Sequence, residues 1–295
     1  GGGGGGPELP GAVPDFLRRP SLNRAQSTEV YATMSNKDFL EHLRKGGDFG
    51  MLMGDNKEGA LIRASRFGKL EICEELVKRK ADVNQVNMGG SSPLIAASMR
   101  GHTKICNFLI ENKANVLQRT KQSDSALSLA VWKRHEDTAI LLMESKADIK
   151  AMDSFGDTVL IDAAKNGMIK LARRLVDAKM DVNHRNNEGF SPILLAAKEG
   201  EAPAITFLHS VGAKIDLRDK SARTPLMWAV AMNKVHCVRA LIELKANPML
   251  TDKDGETCMS VIRSRPVADI LHSAMKANKY TELGDDGMEW KRDMP

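Results

Sequence analysis

The residues that could do chemistry in this 295-residue chain are seven histidines, four cysteines and one serine in a basic context. The histidines are His42, His102, His135, His184, His209, His236 and His272, and the cysteines are Cys73, Cys106, Cys237 and Cys258. None forms the H-x-x-x-H or C-x-x-C pairing that gives a metal two ligands from one local segment. No metal site and no cofactor is expected. A phosphate-cradling G-x-x-x-x-G-K-[ST] loop and a G-x-S-x-G nucleophile elbow are absent. The run Gly1 to Gly6 is not a phosphate cradle, because no strand precedes it and no helix follows. Arg18-Arg19-Pro20-Ser21 resembles a basophilic kinase site, where a phosphate would add about −1.5 to −2 charge at Ser21.

The elements that must position these groups recur every 33 residues. Alanine marks the period at Ala81, Ala114, Ala147, Ala213 and Ala246, with Met180 in the remaining slot. Glycine recurs at Gly68, Gly101, Gly167 and Gly200; Leu or Ile recurs at Leu61, Leu94, Leu127, Leu160, Ile193 and Leu226. A polar residue able to cap its own turn opens most units, at Asn87, Asp153, Asn186, Asp219 and Asp252. Ser92-Pro93, Ser191-Pro192 and Thr224-Pro225 each read as an N-cap followed by proline at the first helical position. The glycine about ten residues later predicts a helix end at positive φ. A second run such as Ile105, Cys106, Phe108, Leu109 and Ile110 has helical spacing. Loops such as Ala81-Asp82-Val83-Asn84 follow. A period of this length means stacked supersecondary units.

On these residues the chain resembles the ankyrin repeat family. Asn186, Gly189, Ser191, Pro192, Ile193, Ala196, Ala197 and Gly200 match its pattern in one unit, and Asp82-Val83-Asn84 and Asp181-Val182-Asn183 match its loop. The resemblance implies an all-α, ankyrin-repeat solenoid of helix-turn-helix units joined by hairpin loops. Residues 53–277 then form a repeat domain of six full repeats and a degenerate C-terminal capping repeat. Residues 34–52 are expected to hold an N-terminal capping helix, Ser35–Lys45, and a loop. Residues 1–33, rich in Gly and Pro, are expected to be disordered, with Met34 as a natural start, and residues 278–295 to be a flexible tail.

Several positions depart from the family pattern. Its histidine after the leucine is replaced by Ile62, Ile95, Ser128, Ile161, Leu194 and Met227. Arg134 and Asn233 stand in the mid-unit glycine slot, and Asn suits a left-handed conformation better than Arg. Asp162 occupies a first-helix position filled elsewhere by Ala96, Leu129, Leu195 and Trp228. A lone buried carboxylate there would be costly. Partial exposure, a hydrogen bond to a loop, or a ligand's cation would each relieve it. By resemblance, Asn84 and Asn183 are either substrates of an asparaginyl hydroxylase or asparagines serving their own turns.

The resemblance also implies that partners dock on a concave face of hairpin tips and first helices. In this register the partner-binding residues are Arg66, Phe67, Met99, Arg100, Trp132, Lys133, Phe155, Asp157, Lys165, Phe190, Arg223 and Met232. Phe67, Trp132, Phe155 and Phe190 are four of the seven aromatics between residues 53 and 275, and aromatics and Arg are enriched in interface hot spots.

The expected function is therefore a non-enzymatic scaffold or adaptor for a protein partner. A regulatory subunit or inhibitor of an enzyme, switched by phosphorylation near Ser21, is the alternative; an unrecognised active site around Asp162 is a third. The net charge of +5 is a mild basic bias without a dense Lys/Arg block, so no nucleic acid is expected as partner. No apolar run approaches the roughly 20 residues of a membrane span. Cys73 and Cys106 fall at one phase of neighbouring helices, too far apart for a disulfide. Free buried thiols suit a reducing compartment, so the chain is expected to be cytoplasmic, with the nucleus as the alternative, and monomeric by itself.

Overall fold

The structure, a computed structural model, describes Glu41 and residues 59–277. The expectations for residues 1–33, including Ser21, and for 278–295 lie outside the described residues. Of the capping segment only Glu41 is described, and it is helical. The chain divides after Ala147 into two compact units.

In the first unit, three helix pairs follow one another: α1 (Ala60–Arg66) with α2 (Leu70–Lys78), α3 (Pro93–Met99) with α4 (Thr103–Glu111), and α5 (Ala126–Trp132) with α6 (Glu136–Glu144). First helices α1, α3 and α5 pack in one row, and α2, α4 and α6 in another. In the second unit the pairs are α7 (Val159–Lys165) with α8 (Ile169–Asp177), α9 (Pro192–Glu199) with α10 (Ala202–Ser210), and α11 (Pro225–Ala231) with α12 (Val235–Glu243). A 3-10 helix, Cys258–Val261, takes the next first-helix place, and α13 (Arg265–Ala277) packs on α12. The described residues contain no strand beyond two isolated bridges.

Two of the repeating sequence features prove to be one device. Each first helix ends when the sixth residue of a turn donates back to the small residue of the repeat: Lys69 N–H to the Ala64 carbonyl (3.0 Å), His102 to Ala97 (3.1 Å), Met168 to Ala163 (2.9 Å) and Glu201 to Ala196 (2.9 Å). That closure needs a left-handed residue in between, which Gly68, Gly101, Gly167 and Gly200 supply. Arg134 (φ 61°) and Asn233 (φ 53°) adopt the same conformation and keep the same bond, His135 to Ala130 and Lys234 to Ala229.

The second helices close in the same way, with lysine in the left-handed place at Lys80, Lys113, Lys146, Lys179 and Lys245. The N–H of the period-marking residue then completes the cap, as in Ala114 to Leu109 (2.9 Å) and Ala246 to Leu241 (2.9 Å). The alanine methyl is buried at the helix end in Ala114, Ala147, Ala213 and Ala246, while Met180 takes the same slot and makes the same bond, to Leu175 (3.1 Å).

The hairpin openers act as read from the sequence. Asn87, Asp153, Asn186, Asp219 and Asp252 each turn one side-chain oxygen onto the N–H groups two and four residues ahead, at 2.8–3.1 Å. Neighbouring hairpins are tied by backbone bonds, Lys121 to Gly89 in the first unit, and Asn187 to Phe155 and Lys220 to Glu188 in the second. Ser92, Ser125, Thr158 and Thr224 cap their helices through their hydroxyls. Ser191 does not, and its buried Oγ has no hydrogen-bond partner.

Where the family's histidine is missing, Ile62, Ile95, Ile161, Leu194 and Met227 are buried core. Ser128 instead completes a capping box with Ser125.

Candidate partner-binding face

In the first unit the C-terminal ends of the first helices present the predicted residues. Phe67 follows α1 and is exposed; Arg66 beside it is half-buried. Trp132 ends α5 with 63% of its surface exposed, and Lys133 Nζ lies 3.7 Å above its ring. Met99, Arg100, Trp132, Lys133 and His135 line a cleft of about 420 Å³. Gly101 permits the close approach of His135, because a Cβ there would sit 2.5 Å from His135 Nδ1. His102 lies over Gly68 in the same way, and its Nε2–H donates to the Arg66 carbonyl (3.1 Å).

In the second unit Phe155 sits at a hairpin tip with 63% exposure, and Met232, just past α11, is exposed. Phe190 and Asp157 correct the expectation of an exposed face: they are only 9% and 8% exposed. Both stand immediately before a helix N-cap, Ser191 and Thr158. A residue in that place folds back on the fourth residue of its helix. Phe190 accordingly packs against Leu195, with Ile161, Leu194, Leu217 and Trp228 around it.

The same pair of places is filled differently in each repeat of this unit, and the differences generate its electrostatics. Phe190 and Leu195 are apolar. Arg223 and Trp228 make a cation–π contact, guanidinium to ring centroid 5.5 Å. Asp157 and Asp162 put two carboxylates there.

Burial pushes both carboxyls above the usual range, and each is affected further by other carboxylates nearby. Asp157 is eased by a bond from Asn186 Nδ2 (2.6 Å), and Asp162 by Lys165 Nζ at 2.9 Å. Burial alone would lower Lys165; Asp162, Asp157 and Asp153 outweigh it and raise it. The cation that Asp162 faces is thus a residue of its own helix.

In the two repeats that follow the acid pair, Phe190 and Trp228 meet at 5.6 Å and 56°. Lys198 Nζ lies 4.8 Å from the first ring and 4.7 Å from the second. Arg223 Nε also donates to Asp252 (3.3 Å). The groove register of the sequence includes Lys198, whereas Trp228 is absent from the site residues it gives. Trp228 carried a signal in its place four residues into a helix, opposite Arg223.

Asn84 and Asn183 serve the neighbouring loop rather than their own. Asn84 accepts from Asn115 N–H (2.7 Å) and donates to the Lys113 carbonyl (3.2 Å). Asn183 does the same with Lys214 (2.9 Å) and Gly212 (3.2 Å). The four cysteines are buried and free. Burial pushes Cys73 and Cys258 up to about 12 and Cys106 and Cys237 up to about 11, so none is a ready nucleophile. No described group of His, Cys, Asp and Glu could hold a metal ion, and no described helix is long and apolar enough to cross a membrane.

Paired helices, hairpin tips joined by backbone bonds and a 33-residue register define an all-α tandem-repeat protein of the solenoid class. The family model for ankyrin repeats in three copies matches residues 30–120, 61–153, 127–219, 160–252 and 193–280, and the chain belongs to the ankyrin-repeat family. Repeats of this family generally mediate protein–protein interaction, and the fold is typically a non-enzymatic interaction module.

Among solved structures, the ankyrin repeat domain of human ASB11 is similar at 21% identity and a TM-score of 0.67, over 74% of this chain and 98% of that one. The ankyrin repeat domain of Bcl-3, a member of the IkappaB family, is similar at 21% identity and a TM-score of 0.60, over 74% of this chain and 100% of that one. A chain in the complex of the predatory endopeptidase Bd0816 from Bdellovibrio bacteriovorus with immunity protein Bd3460 is 30% identical, with a TM-score of 0.58, over 64% of this chain and 99% of that one. No curated protein matched.

Proposed function

We propose that the chain is a non-enzymatic scaffold or adaptor that holds a protein partner on the first-helix and hairpin side of its repeats. One observation carries this. The exposed large hydrophobics of the described residues are Phe67, Val86, Met88, Leu117, Trp132, Met152, Phe155, Met232 and Met249. All lie in loops or at first-helix ends, and none lies in a second helix. Exposed apolar groups kept off the second helices and gathered in the loops and first-helix ends of each unit mark a surface that is covered in use.

Phe67, Met99, Arg100, Trp132 and Lys133, beside half-buried Arg66, are the contact residues in the first unit. Phe155, Lys165, Arg223 and Met232 are those in the second, with Phe190 and Asp157 supporting them from beneath. The buried free thiols support a reducing compartment such as the cytoplasm.

The test is affinity capture from the native source, repeated with Trp132→Ala and Phe155→Ala. Each variant is expected to retain less partner at an unchanged melting temperature. Equal retention by both variants removes the reading.

A second reading, a regulatory subunit or inhibitor of an enzyme, is supported by the 30% identity to a chain of an endopeptidase–immunity protein complex. If it holds, the captured partner is an enzyme whose activity falls on binding, and phosphorylation near Ser21 would change the affinity.

A further inference from the structure

We propose that the cleft between Arg100 and Trp132 in the first unit receives an acidic peptide segment carrying an apolar side chain beside its carboxylates. This rests on the interaction-module reading and names the chemistry of the partner.

The cleft has two apolar walls, Met99 and Trp132, and three nitrogen-bearing side chains, Arg100, Lys133 and His135. Among the described residues no carboxylate lines it. Neither Arg100 nor Lys133 forms an ion pair with a described residue, and Lys133 is instead held over the indole. In the second unit two cations on the corresponding side are neutralised internally, Lys165 by Asp162 and Arg223 by Asp252.

Unneutralised positive charge converging on an exposed aromatic is complementary to carboxylates flanking an apolar residue. The volume, about 420 Å³, falls within the range of ligand clefts, roughly 300–1,000 Å³. A nucleic-acid strand is a poorer fit. It needs successive stacking platforms along a basic track, whereas this cleft offers one indole with Lys133 over its ring.

The probe is a fluorescein-labelled peptide of aspartate, glutamate and leucine, followed by anisotropy with the full chain. A matching asparagine, glutamine and leucine peptide and a labelled oligothymidine serve as comparators. The acidic peptide is expected to bind, more weakly as salt rises. Arg100→Glu, Lys133→Glu and Trp132→Ala, all at exposed side chains, should each weaken it by about tenfold or more, with circular dichroism unchanged. The milder Lys133→Gln should fall between. Absence of binding, equal binding of the neutral peptide, or preference for oligothymidine would overturn the proposal. If native-source capture still depends on Trp132 while the acidic peptide does not bind, the acidic chemistry fails and the interaction module stands. If neither depends on Trp132, both fail.

Discussion

The indole N–H of Trp228 donates to Asp219 Oδ2 at 2.8 Å, while Oδ1 of the same carboxylate accepts the N–H groups of Ser221 (2.8 Å) and Arg223 (2.9 Å). One buried side chain therefore ties a hairpin to the first helix that follows it. Its two oxygens do separable jobs, which makes the arrangement open to test.

Asp219→Asn can keep the turn, because an amide oxygen still accepts both backbone N–H groups, but its NH2 then faces the indole N–H, donor against donor. Asp219→Ala loses both jobs. With a net value of about 1 kcal/mol per hydrogen bond and more for a stranded buried donor, Asp219→Asn should cost about 1 kcal/mol and Asp219→Ala about 2–3 kcal/mol. Urea denaturation midpoints give the ordering. Equal losses for the two variants would show that the indole bond, not the turn, carries the stability.

Phe190 and Trp132 are both aromatics on the predicted face, and the structure separates them. Phe190 is stapled inward against Leu195, whereas Trp132 ends its helix in the open with Lys133 over its ring. Phe190→Ala should therefore cost about 3–5 kcal/mol, as for a large side chain removed from a core. Trp132→Ala should stay within about 0.5 kcal/mol, as for a surface change. Chemical denaturation of the two variants decides. A loss of several kcal/mol in Trp132→Ala would place the indole in the core and withdraw it from the binding face.

How far the sequence disclosed this molecule can be seen at particular positions. The turn openers Asn87 to Asp252 and the glycines Gly68 to Gly200 were legible because their conformations demand those residue types. The lysines at Lys80, Lys113, Lys146, Lys179 and Lys245 were not legible as left-handed residues. Nothing in a lysine side chain favours that geometry, and the helix cap imposes it.

Register within the hairpin puts Phe190 on the surface. Its place immediately before the N-cap Ser191, with Leu195 at the fourth helical position, was present in the sequence and points it inward. Sequence register marks Asp162 as out of place and leaves partial exposure, a loop or a ligand's cation to relieve it. The spacing of three between Asp162 and Lys165 on one helix was the available signal.

The pair of places that holds Asp157 and Asp162 holds Phe190 and Leu195 in the next repeat and Arg223 and Trp228 in the one after, so within the second unit the acidic repeat fills it with two carboxylates. Burial raises Asp162 despite Lys165, which means that ionising it costs folding free energy. The sign follows. For a carboxyl whose folded value lies above its unfolded one, the stabilising contribution is complete below the unfolded value, about 3.9, and is lost as pH rises through the folded value. Lys165 is raised, so it stays charged in both states over the acid and neutral range and adds no slope there.

Asp162→Asn replaces the titrating group with one that is always neutral. The variant should gain stability relative to the native chain as pH rises from about 4 to 7, and the two should converge at the acid end. Because Asp157, Asp216 and the other carboxyls titrate in both proteins, the quantity to measure is the difference in urea midpoint between them at each pH. A native chain that gains on Asp162→Asn toward pH 7 would mean that the Asp162–Lys165 ion pair outweighs burial, and the acid pair would then stabilise its repeat.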